Sequence, residues 1–356
     1  MDRSSPPPPR SQLVGKARRF RFLATILSWL DRFLSWPRPP RPSFQVTFPT
    51  RISKSPGEIE LYFFTGPSKP SSAERNAHRL NRRPVLINFH GGGFSIGHAL
   101  DDARWAGAVL DAYPEVVVVS VNYRLAPEHP YPVAIEDSAD AVLWLWDHSE
   151  QYHLDRDRFA LSGASSGGNL ALTVPLKLYE ELTRQQRLDT KEDIRLAGLV
   201  AFYPTVDWTR TRQQRDATNP IAPQKSMIPP SVFNFFDDSY LLPETLPVKT
   251  ETQELDFSHP YLSPGLAPAQ LLLSAYPVNV SIYTCGWDQL LVEGNTFRHR
   301  LRRIFSENDV FHIGGLVIED AIHGFDKKPS FCMGNATRDR MYGDAAQQLE
   351  FMWRYY

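Results

Sequence analysis

Cysteine is nearly missing from this chain of 356 residues: only Cys285 and Cys332 occur, with no Cys-x-x-Cys pair and no Cys/His spacing of a metal-ligand set. That excludes a disulfide scaffold and a structural zinc site, and both residues read as reduced thiols. An excess of one charge is missing too. With 39 basic against 40 acidic residues the formal net charge is -1, so no overall field exists to gather nucleic acid or a strongly acidic ligand. A small neutral molecule is the default partner. There is no bilayer-length apolar run at the N-terminus, where the uncharged stretch 22–30 has nine residues against the roughly 20 that cross a membrane, and no small-residue cleavage site follows it. The sequons at Asn279 and Asn335 carry little weight, because the first lies in a strand-like run. The expected location is therefore the cytoplasm. No internal repeat is visible.

What the chain does have is order along its length. Residues 2–10 hold Pro6–Pro9 and read as disordered or polyproline-like. A basic start at Lys16, Arg18, Arg19 and Arg21 leads into Phe22, Leu23, Ile26, Leu27, Leu30, Phe33 and Leu34, which recur at helical spacing. This predicts an amphipathic helix, read first as part of a lid and second as a peripheral contact with a membrane surface. Strand character follows at 44–48, 58–64, 85–89, 116–121, 158–162, 196–203, 278–285 and 315–319. The later runs are unbroken apolar stretches, which strands buried on both faces require. Helical periodicity at 103–113, 135–148, 169–183 and 292–307 falls between them, with Pro175 expected to kink the third. The fold class is α/β, a mostly parallel sheet with helices on both faces. Between 203 and 278 the connection is too long for a plain loop. It reads as a helical lid insertion at about 208–270, whose Phe233, Phe235, Phe236 and Tyr240 either line a pocket or pack the insertion. The division expected is 1–50, a disordered start and lid helix, and 51–356, the main domain with its insertion.

Two motifs carry chemistry. Gly163-Ala164-Ser165-Ser166-Gly167 is a Gly-x-Ser-x-Gly between a strand-like and a helix-like run, where small flanking residues let neighbouring backbone come close to a tight turn. Upstream, His90-Gly91-Gly92-Gly93-Phe94 has the composition to offer backbone N–H groups to an oxyanion. Ser165 then needs a base. His323, just past the 315–319 run, is the best placed of the ten histidines, since its loop falls at the carboxyl edge of the sheet where ligands of open α/β sheets bind. Asp288, leaving the 278–285 run, is the acid expected to orient it; Asp207, Glu319 and Asp320 also follow or close strand-like runs. The chain order Ser165, Asp288, His323 is that of nucleophile-elbow enzymes. His90 is expected to hold the glycine loop instead of acting as a base, with Gly91 beside it. The oxyanion donors expected are the amides of Gly92, Gly93 and Ser166.

These segments, together with 122–132 (Asn-Tyr-Arg-Leu-Ala-Pro-Glu-His-Pro-Tyr-Pro), Glu293-Gly294 and 322–325 (Ile-His-Gly-Phe), resemble the hormone-sensitive-lipase family of α/β-hydrolases, which includes arylacetamide deacetylases and many carboxylesterases. The resemblance covers roughly residues 83–325. It implies an eight-stranded core, a lid built from the N-terminal segment and an insertion, and hydrolysis of short- to medium-chain acyl esters of a small molecule through an acyl-enzyme, with no cofactor. The family pattern has Asp before the nucleophile and Ala after it, where this chain has Ala164 and Ser166. This departure keeps open a lyase or cyclase on the same fold, and a non-catalytic ligand-binding protein is a third reading.

Overall fold

The computed structural model describes residues 8–66, 82–190, 193–242, 245–248, 255–306, 311–328 and 336–354. Residues 2–7 of the proline-rich start, Cys332, Asn335 and Glu307, the expected end of a helix, lie outside them. Nine strands are described: β1 (Phe44–Pro49), β2 (Glu58–Thr65), β3 (Arg83–Phe89), β4 (Val117–Asn122), β5 (Leu154–Ala164), β6 (Leu196–Phe202), β7 (Asn279–Trp287), β8 (His312–Gly314) and β9 (Val317–Ile322). They run across the sheet as β1-β2-β4-β3-β5-β6-β7, with β8 and β9 both beside β7. The pairs β1/β2 and β2/β4 are antiparallel and every later pair is parallel. The eighth position of the sheet is thus filled by two short segments: β8 pairs with 279–281 and β9 with the second half of β7. The break falls at Gly315, whose φ of 95° and contact with the Ile282 backbone leave no room for a side chain.

Buried strands explain the unbroken apolar runs. In β3, Val85, Ile87 and Phe89 enter one core while Leu86 enters the other; in β4, Val117, Val119 and Val121 oppose Val118 in the same way. One face is covered by α3 (Val133–Asp147), α4 (Ser166–Arg184), α8 (Ala269–Ala275) and α9 (Leu291–Ile304), the other by α2 (Ala103–Ala112) and α10 (Ala336–Arg354). Helix α4 runs on through Pro175 without interruption. Asn279 is buried in β7 and donates to the Ala197 carbonyl, so the first sequon is structural.

The segment before the sheet and the insertion form a second layer. Helix α1 (Arg10–Leu34) begins at Arg10, within the stretch expected to be irregular, and β1, inside the expected 1–50 segment, is hydrogen-bonded into the sheet. The insertion folds as α5 (Arg212–Thr218), α6 (Ala222–Lys225) and α7 (Pro230–Tyr240). Leu13 and Ala17 of α1 pack with Phe235 of α7 in a small separate core, where Phe20 meets Phe235 edge to face at 5.1 Å.

Candidate active site

Strand β5 ends at Ala164 and α4 starts at Ser166, so Ser165 alone makes the turn. It does so at φ 56°, ψ -117°, a region that non-glycine residues rarely visit. The surroundings hold it there. The Ser165 N–H donates to the Phe202 carbonyl at 2.9 Å, and the turn is pressed so close to β3 that a Cβ on Gly167 would overlap the Phe89 carbonyl. Its hydroxyl is thereby aimed at the carboxyl edge of the sheet.

His323 arrives on the same edge immediately after β9, turned by Gly324 in the left-handed region. Its Nε2 lies 2.8 Å from Ser165 Oγ, and its Nδ1 lies 2.7 Å from Asp288 Oδ2. A carboxylate only accepts, so Nδ1 carries the proton and Nε2 faces the serine with its lone pair, the tautomer a base needs. Burial alone would lower the imidazole pKa, but the charge and hydrogen bond of Asp288, with a smaller contribution from Asp326, outweigh it and leave the pKa raised above 6.5. Asp288 is itself held: Oδ1 accepts the Leu290 N–H at 3.0 Å, and the Asn219 side chain donates to the carbonyls of Gly286 and Asp288, both at 2.9 Å. Of the other acids considered, Glu319 and Asp320 are exposed on β9 and Asp207 binds Thr209.

Gly91, Gly92 and Gly93 border the same cavity as Ser165 and Ser166. Gly92 has φ 112°, and a Cβ there would strike the Ile96 carbonyl. The loop folds back so that the N–H groups of Ser95 and Ile96 donate to the Gly92 carbonyl at 3.1 and 3.0 Å. No described residue accepts a hydrogen bond from the amides of Gly92, Gly93 or Ser166. His90 stacks on Tyr123 with ring centroids 4.2 Å apart, donates Nδ1–H to the Gly91 carbonyl at 2.7 Å, and has its pKa pushed down to about 4, foremost by burial. His90 thus braces the glycine loop, and the histidine whose free ring nitrogen meets the Ser165 hydroxyl is His323.

Two ionic arrangements behind the site were not visible in the sequence. Lys327, four residues after His323, places Nζ 2.6 Å from Asp102 Oδ1 and 2.9 Å from Asp326 Oδ2. Asp326 also accepts from the hydroxyls of Tyr203 and Tyr342, and Asp102 accepts from Asn88, which in turn accepts from Ser162 on β5. This chain joins β3, β5 and Tyr203, the residue after β6, to the histidine loop. Burial would raise the Asp326 pKa, but Lys327 and the two phenols hold it below its usual value. The second arrangement is Glu293 at the start of α9. It accepts the Val206 N–H at 2.9 Å and pairs with Arg215 at 2.7 Å. The partners come from distant parts of the chain, so no local pattern announces either one.

The cavity above Ser165 holds about 500 Å³. Ile96, Trp208, Met227, Ile228, Phe233 and Phe236 give it an apolar side, and Ala24, Leu27 and Ser28 of α1 border it. The aromatic cluster of the insertion therefore splits. Phe233 and Phe236 line the cavity; Phe235 packs under α1, and Tyr240 stacks on Phe94 at 3.8 Å.

Comparison with known proteins places these features in context. The profile of a family described as alpha/beta hydrolase fold matches residues 86–326. Esterase LipI of Mycobacterium tuberculosis is 40% identical over 118 residues, 33% of this chain and 34% of that protein. Carboxylic ester hydrolase LipN of the same organism is 32% identical over 246 residues, 68% of this chain and 57% of that one, so the match spans well under two thirds of either relative. Human arylacetamide deacetylase-like 2 is 31% identical over 288 residues, 68% of this chain and 67% of its own length. Among solved structures, a thermostable esterase from Pseudomonas putida superimposes with a TM-score of 0.70 at 19% identity, covering 100% of this chain and 95% of that one, a likeness of fold.

Proposed function

This chain belongs to the alpha/beta hydrolase fold family, and from that premise we propose that it is a serine carboxylesterase acting on short- to medium-chain acyl esters of a small molecule. The observation that carries the reading is the continuous relay from Ser165 Oγ to His323 Nε2 at 2.8 Å and from Nδ1 to Asp288 at 2.7 Å, at a cavity also bordered by Gly92, Gly93 and Ser166, whose amides have no acceptor among the described residues. His323 takes the hydroxyl proton as Ser165 attacks the ester carbonyl, and the developing oxyanion is met by the N–H groups of Gly92, Gly93 and Ser166. Collapse of the tetrahedral intermediate expels the alcohol, which leaves with the proton from His323. Water, deprotonated by the same imidazole, then frees the acid and restores Ser165. Each oxyanion donor typically contributes about 10² to 10³ in rate.

We assign the acyl or aryl group to the apolar side formed by Trp208, Phe233 and Phe236, and we read α1 with the insertion at about 208–270 as the cap that selects substrates. No cofactor enters this chemistry. A cytoplasmic location with peripheral membrane contact through α1 completes the reading. The experiment is hydrolysis of p-nitrophenyl esters from acetate to dodecanoate by wild type and Ser165→Ala. Release by wild type that falls with chain length, together with fluorophosphonate labelling lost in the variant, supports the assignment; equal rates in both proteins overturn it.

A further inference from the structure

From Arg21 onward helix α1 lies on the protein with its faces reversed, while its first turns bury Leu13 and Ala17 against Phe235. Its inward side carries Arg21, Ser28, Asp31 and Arg32, while Phe22, Leu23, Ile26, Trp29, Phe33 and Leu34 point outward, each between 40% and 65% exposed. Trp36, just beyond the helix, is 84% exposed. Besides that small apolar core, the helix is fastened by polar contacts. Arg21 donates to the Ser95 and Ala126 carbonyls and pairs with Glu128 at 2.9 Å, Arg10 donates to the Pro127 and Glu128 carbonyls, and Asp31 pairs with Arg104 at 2.8 Å. An amphipathic helix ordinarily buries its apolar stripe. One that leaves a stripe of this length in water has a surface for something else.

Charge identifies what that something is. From Arg10 to Gly57 the only acid is Asp31, already paired, although the whole chain is near neutral at -1. Lys16, Arg18 and Arg19 are exposed at one end of the apolar stripe, Arg38 and Arg41 at the other, and none of them forms an ion pair among the described residues. A second copy of the chain fits poorly. Pairing two such helices, parallel or antiparallel, brings cationic ends together, because both ends are basic. An anionic lipid surface meets both features at once: the cations face phosphates while Phe22, Ile26 and Phe33 enter the acyl boundary and Trp29 and Trp36 sit at headgroup level. The same helix borders the catalytic cavity through Ala24, Leu27 and Ser28. Leu27 is 56% exposed and Met227, on the insertion side of the cavity, is 69% exposed.

We propose that the outer face of α1, with the connection to Arg41, docks onto an anionic bilayer and sets the cavity mouth against it, so that esters dissolved in the membrane enter without crossing water. The inference deepens the esterase reading, but its test does not depend on hydrolysis. Full-length protein is sedimented with vesicles of phosphatidylcholine alone or with about a third phosphatidylglycerol, at about 0.05 and about 0.5 M salt. Expected is binding to the anionic vesicles only, weakened about tenfold or more by salt, with tryptophan emission quenched by brominated acyl chains. The variant Phe22→Gln/Ile26→Gln/Phe33→Gln is expected to lose at least about tenfold in partitioning, and Arg18→Glu/Arg19→Glu about fivefold or more per charge. Both should hydrolyse p-nitrophenyl butyrate in vesicle-free buffer within about twofold of wild type, these side chains lying outside the catalytic cavity. Wild-type protein that stays in the supernatant with anionic vesicles overturns the proposal. So does a wild-type dimer, measured by light scattering, that the triple apolar variant dissolves, because the stripe then joins two copies. Vesicle binding without ester hydrolysis would sustain the docking surface and reject the esterase.

Discussion

The turn at Ser165 and helix α1 border one cavity and are attached to the protein in opposite ways. Around Ser165, backbone touches backbone: Gly167 against the Phe89 carbonyl, the Ser165 amide on the Phe202 carbonyl, buried β3 and β6 on either side of β5. Apart from Leu13 and Ala17 against Phe235, helix α1 is held by polar side-chain contacts and turns most of its apolar residues to the outside. Close-packed backbone has no slack, so atoms that must meet within tenths of an ångström belong there. A helix held by side chains can change residue by residue, so the access to the cavity is free to vary while the relay beneath it stays fixed.

Substitutions at graded distances from the relay test this contrast. Asp288→Asn is expected to cost most, about 10⁴ in kcat, and to move the acid limb of the pH–rate profile. In the proposed mechanism activity needs neutral His323, whose raised pKa puts the wild-type limb above 6.5; without the carboxylate burial is opposed only by the smaller contribution of Asp326, and the limb should move to lower pH. Gly167→Ala should lower unfolding stability by more than about 4 kcal/mol in denaturant titrations, because the carbonyl it strikes belongs to a central strand. Lys327→Met leaves Asp102 and Asp326, 2% and 0% exposed, without their cation; a loss of about 3 to 5 kcal/mol is expected by thermal or chemical unfolding. Arg21→Met should cost only about 1 kcal/mol and raise KM more than it lowers kcat, since it loosens the helix that borders the cavity. A kcat loss at Arg21 as large as that at Asp288 would erase the distinction between the two regions.

The same contrast sorts what could be read from the chain alone. Strands buried on both faces need continuous apolar residues, so β3 to β7 stood out, and a serine on a strained turn needs glycines beside it, so 163–167 did too. The eighth strand position was half seen, because β8 is only His312–Gly314 and its neighbour Gly315 breaks the pattern. Helix α10 carries charges along much of its length and gave no clear stripe, although Met341, Leu349 and Met352 are buried. For α1, periodicity gave the helix but not its orientation. Spacing defines a stripe, and only tertiary partners such as Glu128 and Arg104 decide which side turns inward. The Lys327 and Glu293 arrangements join residues remote in sequence, where no local rule reaches.

Ser165 keeps a backbone angle, φ 56°, that glycine would adopt with ease. The residue best suited to that bend is one with no hydroxyl, so Ser165→Gly should yield an inert protein that melts later than its parent. A strained side chain at a position that glycine would relax is stability given up at one point of the fold, and in the proposed mechanism that point is the nucleophile.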